Sequence, residues 1–241
     1  ASATMVQLEL PWSNAELKFE INSLAEASQM EKGAIRLIIT RGCGFGLSTK
    51  PPTPNRYIYL TKAILDHPRG GLSLKLLHQN YTVRESAAKV NNYLSSIVAF
   101  QTLGSNYDEI LWLNSEGELT EAATANIFLI ARHGDLIEIA TPAVTSGILL
   151  GITRQKIINL LSEMKILVEE KVIYGDELPR FDEAFLTSTV RGLMPIKSIG
   201  KHKLHTCKDN SLFYYIQKAY LNALNPKNGP KASGQRTDKL H

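Results

Sequence analysis

The chain has 241 residues, 44% apolar and 21% charged, with a formal net charge of +4. At roughly 150 residues per domain this allows one large domain or two small ones, and it excludes disorder, collagen and coiled coil as the main architecture. No run approaches the roughly 20 apolar residues of a membrane span, no basic stripe points to a nucleic-acid partner, and two distant cysteines, Cys43 and Cys207, exclude a disulfide-stapled secreted fold.

In chain order, Ala1–Leu10 has no charged or apolar signal-peptide regions, so a cytoplasmic setting is expected. Residues 15–29 have helical spacing, with Asn14 as the cap. Ala34–Arg41 reads as a strand that ends in the glycine-rich turn Gly42-Cys43-Gly44-Phe45-Gly46. Lys50–Arg56 holds three prolines and reads as a loop. Tyr57–Ala63 and Leu72–Val83 read as strands, with Asp66–Gly71 between them as a domain linker. Ala87–Leu103 reads as a long helix with Tyr93, Leu94, Ile97, Val98 and Leu103 on its apolar side. Strands follow at Glu109–Leu113, from Leu119, at Asn126–Ala131 and at Leu136–Ala140, the last pair joined by a turn at His133-Gly134-Asp135. Thr153–Ile166 is a helix, with Ile157, Ile158, Leu161 and Met164 in phase. Leu167–Ile173 and Ala184–Thr187 are strands, Gly175–Arg180 a short helical piece, Ser188–Leu193 a loop and Ser211–Leu224 an amphipathic helix. The polar stretch Asn225–His241 is expected to be disordered. Strands and helices mix without strict alternation, so the expected class is α+β.

Four segments carry chemistry. Gly151-Ile152-Thr153-Arg154 feeds a glycine turn into a helix start, where unpaired N–H groups and the helix dipole welcome an anion; taken alone it is more often an ordinary capped helix. Leu186-Thr187-Ser188-Thr189 brings three hydroxyls to a strand end, which also suits plain turn chemistry. Lys89 lies among small and apolar residues at a helix start. Partly desolvated there, it would have a lowered pKa and act as nucleophile or base; the bland alternative is a surface lysine. Glu121 is followed by small residues that leave room for a flat ligand, with Asn126 able to brace it; otherwise it is a strand-edge glutamate. His202-x-x-His205-x-Cys207 fits no common zinc spacing, and no metal is expected. A lysine, a carboxylate and a double phosphate cradle are together what pyridoxal phosphate requires.

In these motifs the chain resembles the class IV aminotransferases, the fold-type IV pyridoxal-phosphate enzymes, from Ala1 to about Gly200. The resemblance implies pyridoxal 5′-phosphate as cofactor. In Lys-Val-Asn-Asn-Tyr-Leu, Lys89 falls on the Schiff-base lysine. In Thr-Glu-Ala-Ala-Thr-Ala-Asn-Ile-Phe, Glu121 falls on the glutamate facing the pyridine nitrogen, with Asn126 beside it. Ile152 and Thr153 fall on the first phosphate-binding pair, and Ser188 and Thr189 on the second phosphate loop, ahead of Met194-Pro195. The family's small domain begins before the position matching Ala1, and that earlier part carries a phosphate-binding arginine. The expected organisation is therefore a partial small domain over 1–66, a larger pseudo-barrel cofactor domain over 67–224, and the tail 225–241.

The resemblance implies a lyase or a transaminase. The first reading is 4-amino-4-deoxychorismate lyase of folate biosynthesis, which releases pyruvate and 4-aminobenzoate. It rests on the glycine-rich Thr40–Ser48 segment and on Ala125-Asn126. The alternative is a branched-chain or D-amino acid aminotransferase, which Leu149–Arg154 and Thr187-Ser188-Thr189 suit equally. Either way the partner is a small amino acid or aminodeoxychorismate, with neither nucleic acid nor membrane, and the family implies a homodimer.

Overall fold

A computed structural model describes residues 2–30, 32–44, 53–62, 70–79, 88–134 and 136–224. After a single helical turn, α1 (Ser2–Met5), comes α2 (Asn14–Ser28). Its cap is Ser13, not Asn14: the Ser13 hydroxyl accepts the Glu16 N–H, and the Glu16 carboxylate accepts the Ser13 N–H at 2.7 Å. This reciprocal box satisfies two otherwise orphaned donors. Strands β1 (Gly33–Thr40) and β2 (Asn55–Lys62) form an antiparallel two-stranded sheet. Arg56 of β2 lies over the Trp12 ring, 4.4 Å from its centroid, and pairs with Glu20 of α2. The loop expected over Lys50–Arg56 therefore yields to strand at Asn55.

The remaining strands belong to one nine-stranded sheet. They are β3 (Leu72–His78), β4 (Glu109–Leu113), β5 (Leu119–Ala122), β6 (Asn126–His133), β7 (Leu136–Pro142), β8 (Val168–Lys171), β9 (Glu183–Ser188), β10 (Gly192–Ile199) and β11 (His202–Lys203). The spatial order is β5-β4-β3-β10-β9-β6-β7-β8, with β11 on β10. β3 runs parallel to β4 and β10, and β7 parallel to β8; the other pairs are antiparallel. The class is α+β, as the mixed order of elements suggests.

Both faces of the central strands are covered, which explains their nearly unbroken apolar runs. Along β6, Ile127, Leu129 and Ala131 join one core cluster, whereas Phe128 and Ile130 join a second cluster beneath α4 (Ile152–Glu163) and α5 (Leu212–Leu224). In the second, Phe128 stacks on Phe185 with ring centroids 5.1 Å apart. Asn126 and Thr187, paired across β6 and β9, continue this helix-facing side to the strand ends.

Three sequence expectations need correction. The long helix over Ala87–Leu103 is only α3, Leu94–Gln101. Asn91 and Asn92 stand before it, and asparagine side chains compete with helical backbone bonds. The face it buries carries Ala99, packed with Leu103, Ile110 and Trp112, while Leu94, Ile97 and Val98 are exposed. The region Gly192–Ile199 holds a central strand, β10, where a loop and Met194-Pro195 masked the pattern. Pro195 is tolerated because β10 meets β3 only from Ile196 onward, leaving one ladder beside it. The strand expected over Leu72–Val83 ends at His78; residues 80–83 lie outside the described residues, as do most of the linker at Asp66–Gly71 and all of 225–241. Among the described residues no helix is long and apolar enough to cross a membrane.

Candidate active site

Glu121 sits in β5, and a tight turn returns the chain to Asn126 at the start of β6, with the Ala122 N–H donating to the Ala125 carbonyl at 2.8 Å. The small residues Ala122, Ala123 and Ala125 let this turn close without crowding the carboxylate. Glu121 Oε2 accepts from Asn126 Nδ2 at 2.8 Å and from the Leu149 N–H at 3.0 Å. Burial pushes the Glu121 carboxyl up to about 7; the Leu149 N–H and the charges of Lys89 and Arg154 oppose this. Burial disfavours the charged form of this carboxyl, and a cationic ring nitrogen placed against it would favour that form.

The chain then enters α4 through Gly151. No side chain caps this helix, so the first-turn N–H groups keep their donor capacity. Thr153, expected as the first residue of this helix, is the second and is buried; Ile152 before it is exposed. A Cβ on Gly151 would collide with Asn126 Oδ1, so the glycine lets the helix start meet the Glu121–Asn126 bracket. Arg154 is buried, donates to the Pro142 carbonyl at 3.0 Å and pairs with Glu170 at 2.7 Å.

Thr187 pairs in register with Asn126, so Ser188 and Thr189 follow immediately beyond the bracket. The Thr187 hydroxyl is buried and finds no hydrogen-bond partner among the described residues. Ser188 is half-buried and Thr189 exposed. The backbone N–H of Lys89 donates to Ser2 Oγ at 3.0 Å, and its ammonium is near enough to act on Glu121. Lys89 lies in an irregular segment and is exposed, rather than desolvated at a helix start as expected.

The structure thus gathers Glu121, Asn126, Ile152 and Thr153, with Ser188 and Thr189 on the adjoining turn and Lys89 within electrostatic reach. An uncapped helix start, an unpartnered buried hydroxyl and a glycine-permitted close approach suit a phosphorylated aromatic ligand with a basic ring nitrogen. The sequence reading missed the Leu149 N–H, which no side-chain pattern announces, and the space requirement at Gly151, for which the Gly-Ile-Thr-Arg motif was the available signal. No group of three or more metal-ligating side chains occurs among the described residues.

A family profile for amino-transferase class IV matches residues 1–199. The chain belongs to that family. The family is one of pyridoxal 5′-phosphate enzymes, and this is the cofactor its chemistry uses. D-alanine aminotransferase of Bacillus licheniformis is 26% identical over 230 residues, covering 92% of this chain and 78% of that protein. The branched-chain aminotransferase of Thermoproteus uzoniensis, solved with norvaline, superposes with a TM-score of 0.82 at 26% identity, covering 94% of this chain and 76% of that one. A protein provisionally assigned as 4-amino-4-deoxychorismate lyase from Legionella pneumophila also gives 0.82, at 22% identity, covering 92% and 81%. This last likeness speaks to the fold alone.

Proposed function

We propose that this chain is an amino acid aminotransferase whose cofactor lies between the Glu121–Asn126 bracket, the start of α4 and the Ser188–Thr189 turn. The observation that carries the reading is the bracket itself: a carboxylate fixed by Asn126 and the Leu149 N–H, beside an uncapped helix start. When bound, the cofactor supplies an electron-withdrawing ring that stabilises negative charge at the substrate α-carbon. Glu121 holds a proton at the ring nitrogen, and Asn126 fixes the direction of its carboxylate. Ile152 and Thr153 donate to the phosphate from the helix start, and Ser188 and Thr189 donate from the other side. Lys89 would hold the cofactor through its amine and, once the incoming substrate amine has displaced it, would carry the proton at the α-carbon.

The extended relative and the structural relative at 26% identity are both aminotransferases, which supports transamination over elimination. Lyase chemistry is the second reading, favoured by the small Ala125 beside Asn126 in the Glu121 turn. The same proposal includes a cytoplasmic homodimer, supported by the exposed Leu94, Ile97 and Val98 of α3 and by free cysteines at Cys43 and Cys207. It also divides the chain at about residue 66, on the separation of the two-stranded sheet from the nine-stranded one.

The deciding experiment is a side-by-side product assay. D-alanine, L-valine and L-leucine are each offered with 2-oxoglutarate, and 4-amino-4-deoxychorismate is offered with no oxo-acid acceptor. Glutamate formed from any of the amino acids supports transamination. Pyruvate formed from aminodeoxychorismate alone, with no glutamate in the other arms, replaces this reading with the lyase.

A further inference from the structure

Glu109, the first residue of β4, is a buried carboxylate that the proposed chemistry does not use; it is 2% exposed. Its Oε1 accepts the Ile110 N–H at 3.1 Å. Its Oε2 accepts the Thr124 hydroxyl at 3.2 Å and Arg191 Nη2 at 3.0 Å. The same Arg191 nitrogen donates to the Thr124 hydroxyl oxygen. Arg191 is the charged partner of this buried carboxylate, so removing it alone would leave a buried charge uncompensated.

The positions of the partners give the cluster its meaning. Thr124 lies in the turn Ala122–Ala125, which joins the strand of Glu121 to that of Asn126. Arg191 lies in the turn from Ser188 to Gly192, which joins β9 to β10. One guanidinium therefore ties together the two turns from which the cofactor residues project, and both are anchored to a third strand through Glu109. A guanidinium presents several donors in a rigid fork, whereas a lysine offers a single mobile point charge.

We propose that Arg191 is a positioning residue: through Glu109 and Thr124 it fixes the Ser188–Thr189 turn at a set separation from the Glu121–Asn126 turn, and so sets the fit of the phosphate relative to the ring. The proposal rests on the cofactor site described under Proposed function. Arg191 touches no reacting atom in this role; it acts through the turns it joins.

The test titrates pyridoxal 5′-phosphate into the cofactor-free chain by absorbance, with melting curves and amide exchange over residues 122–126 and 187–192. Arg191→Gln alone strands a buried carboxylate and risks misfolding, so the informative variants are the double Glu109→Gln/Arg191→Gln and the charge-keeping Arg191→Lys. The double variant is expected to bind about tenfold more weakly, the scale of one misaligned hydrogen bond. Amides in both turns should exchange faster, and Arg191→Lys should recover part of the affinity. Parental affinity in both variants overturns the positioning role, whatever happens to the melting temperature. A parent chain that takes up no pyridoxal 5′-phosphate overturns the site reading itself and the positioning role with it. If the double variant fails to fold, Arg191→Lys decides: weakened uptake supports the role and parental uptake overturns it.

Discussion

Asn126 Nδ2 donates to the Glu121 carboxylate at 2.8 Å and to the Leu149 carbonyl at 2.9 Å. Both amide protons are thus committed, which fixes the orientation of the side chain and leaves Oδ1 against Gly151. Glu121 is held from the other side by the Leu149 N–H, so two strands and the approach to α4 meet at one carboxylate.

Gly151→Ala should break this junction. The added Cβ meets Asn126 Oδ1, and Asn126 cannot withdraw without giving up its bonds to Glu121 and Leu149. A loss of about 1–3 kcal/mol of stability is expected, together with weaker retention of pyridoxal 5′-phosphate. Gly70→Ala is the control, because nothing lies within 4 Å of a Cβ there. Urea unfolding of the two variants compares them directly; equal midpoints would remove the steric role of Gly151.

Glu121 predicts a pH dependence for the cofactor-free chain. Burial raises its pKa from 4.5 to about 7. Between those values the folded chain holds a proton that the unfolded chain has released, so stability is greatest below pH 4.5 from this group and falls as pH rises through 7. After allowance for the solvent that reaches the side chain, the loss is on the order of 2 kcal/mol. Glu121→Gln removes the ionisation and should flatten that part of the profile. Melting temperatures at pH 5 and pH 7.5 measure it: the same pH difference in parent and variant would show that the carboxyl is not perturbed.

Much of this was legible in the sequence because the motifs are local. The turn between Glu121 and Asn126 spans a few residues, and its alanines announce the tight return. The Gly-Ile-Thr start of α4 and the hydroxyls after β9 are equally local. What escaped was set by tertiary packing. Pro195 hid β10, because the neighbour that makes it tolerable, β3, lies more than a hundred residues earlier. Leu94, Ile97 and Val98 have helical phase, yet the buried side of α3 carries Ala99 instead. The Glu109–Arg191 pair joins residues 82 apart and leaves no periodic trace.

The two threonines proposed to bind the phosphate should contribute unequally to cofactor retention. Thr153 is buried near the origin of the α4 dipole, whereas Thr189 is exposed on a turn. Thr153→Ala should weaken retention by about 1–3 kcal/mol, the value of a hydrogen bond to a charged acceptor that leaves its partner under-satisfied. Thr189→Ala should cost toward the lower end, because water can replace the lost hydroxyl. Dialysis against inorganic phosphate, with bound pyridoxal 5′-phosphate read by absorbance, ranks them. Full retention in both would remove the two threonine hydroxyls from the proposed cradle.

Lys89 should be the point of covalent attachment. It is exposed in an irregular segment rather than confined in a helix, so its amine is free to reach a ligand seated against Glu121. Its charge is among the influences that oppose the effect of burial on the Glu121 carboxyl. Consuming the lysine charge by bond formation removes one of the influences that hold the Glu121 carboxyl down, while a protonated ring nitrogen placed against the carboxylate supplies a closer one. Lys89→Ala should abolish the visible absorbance of the cofactor-loaded chain and lower turnover by several orders of magnitude, with little change in melting temperature because the exposed side chain supports no packing. Lys89→Arg keeps the charge without a usable nucleophile and should be equally inactive, which separates attachment from electrostatics. Borohydride treatment of the loaded parent followed by peptide mapping identifies the lysine: a pyridoxyl label within the peptide containing Lys89-Val90-Asn91-Asn92 is the expected result, and a label on any other lysine moves the site elsewhere.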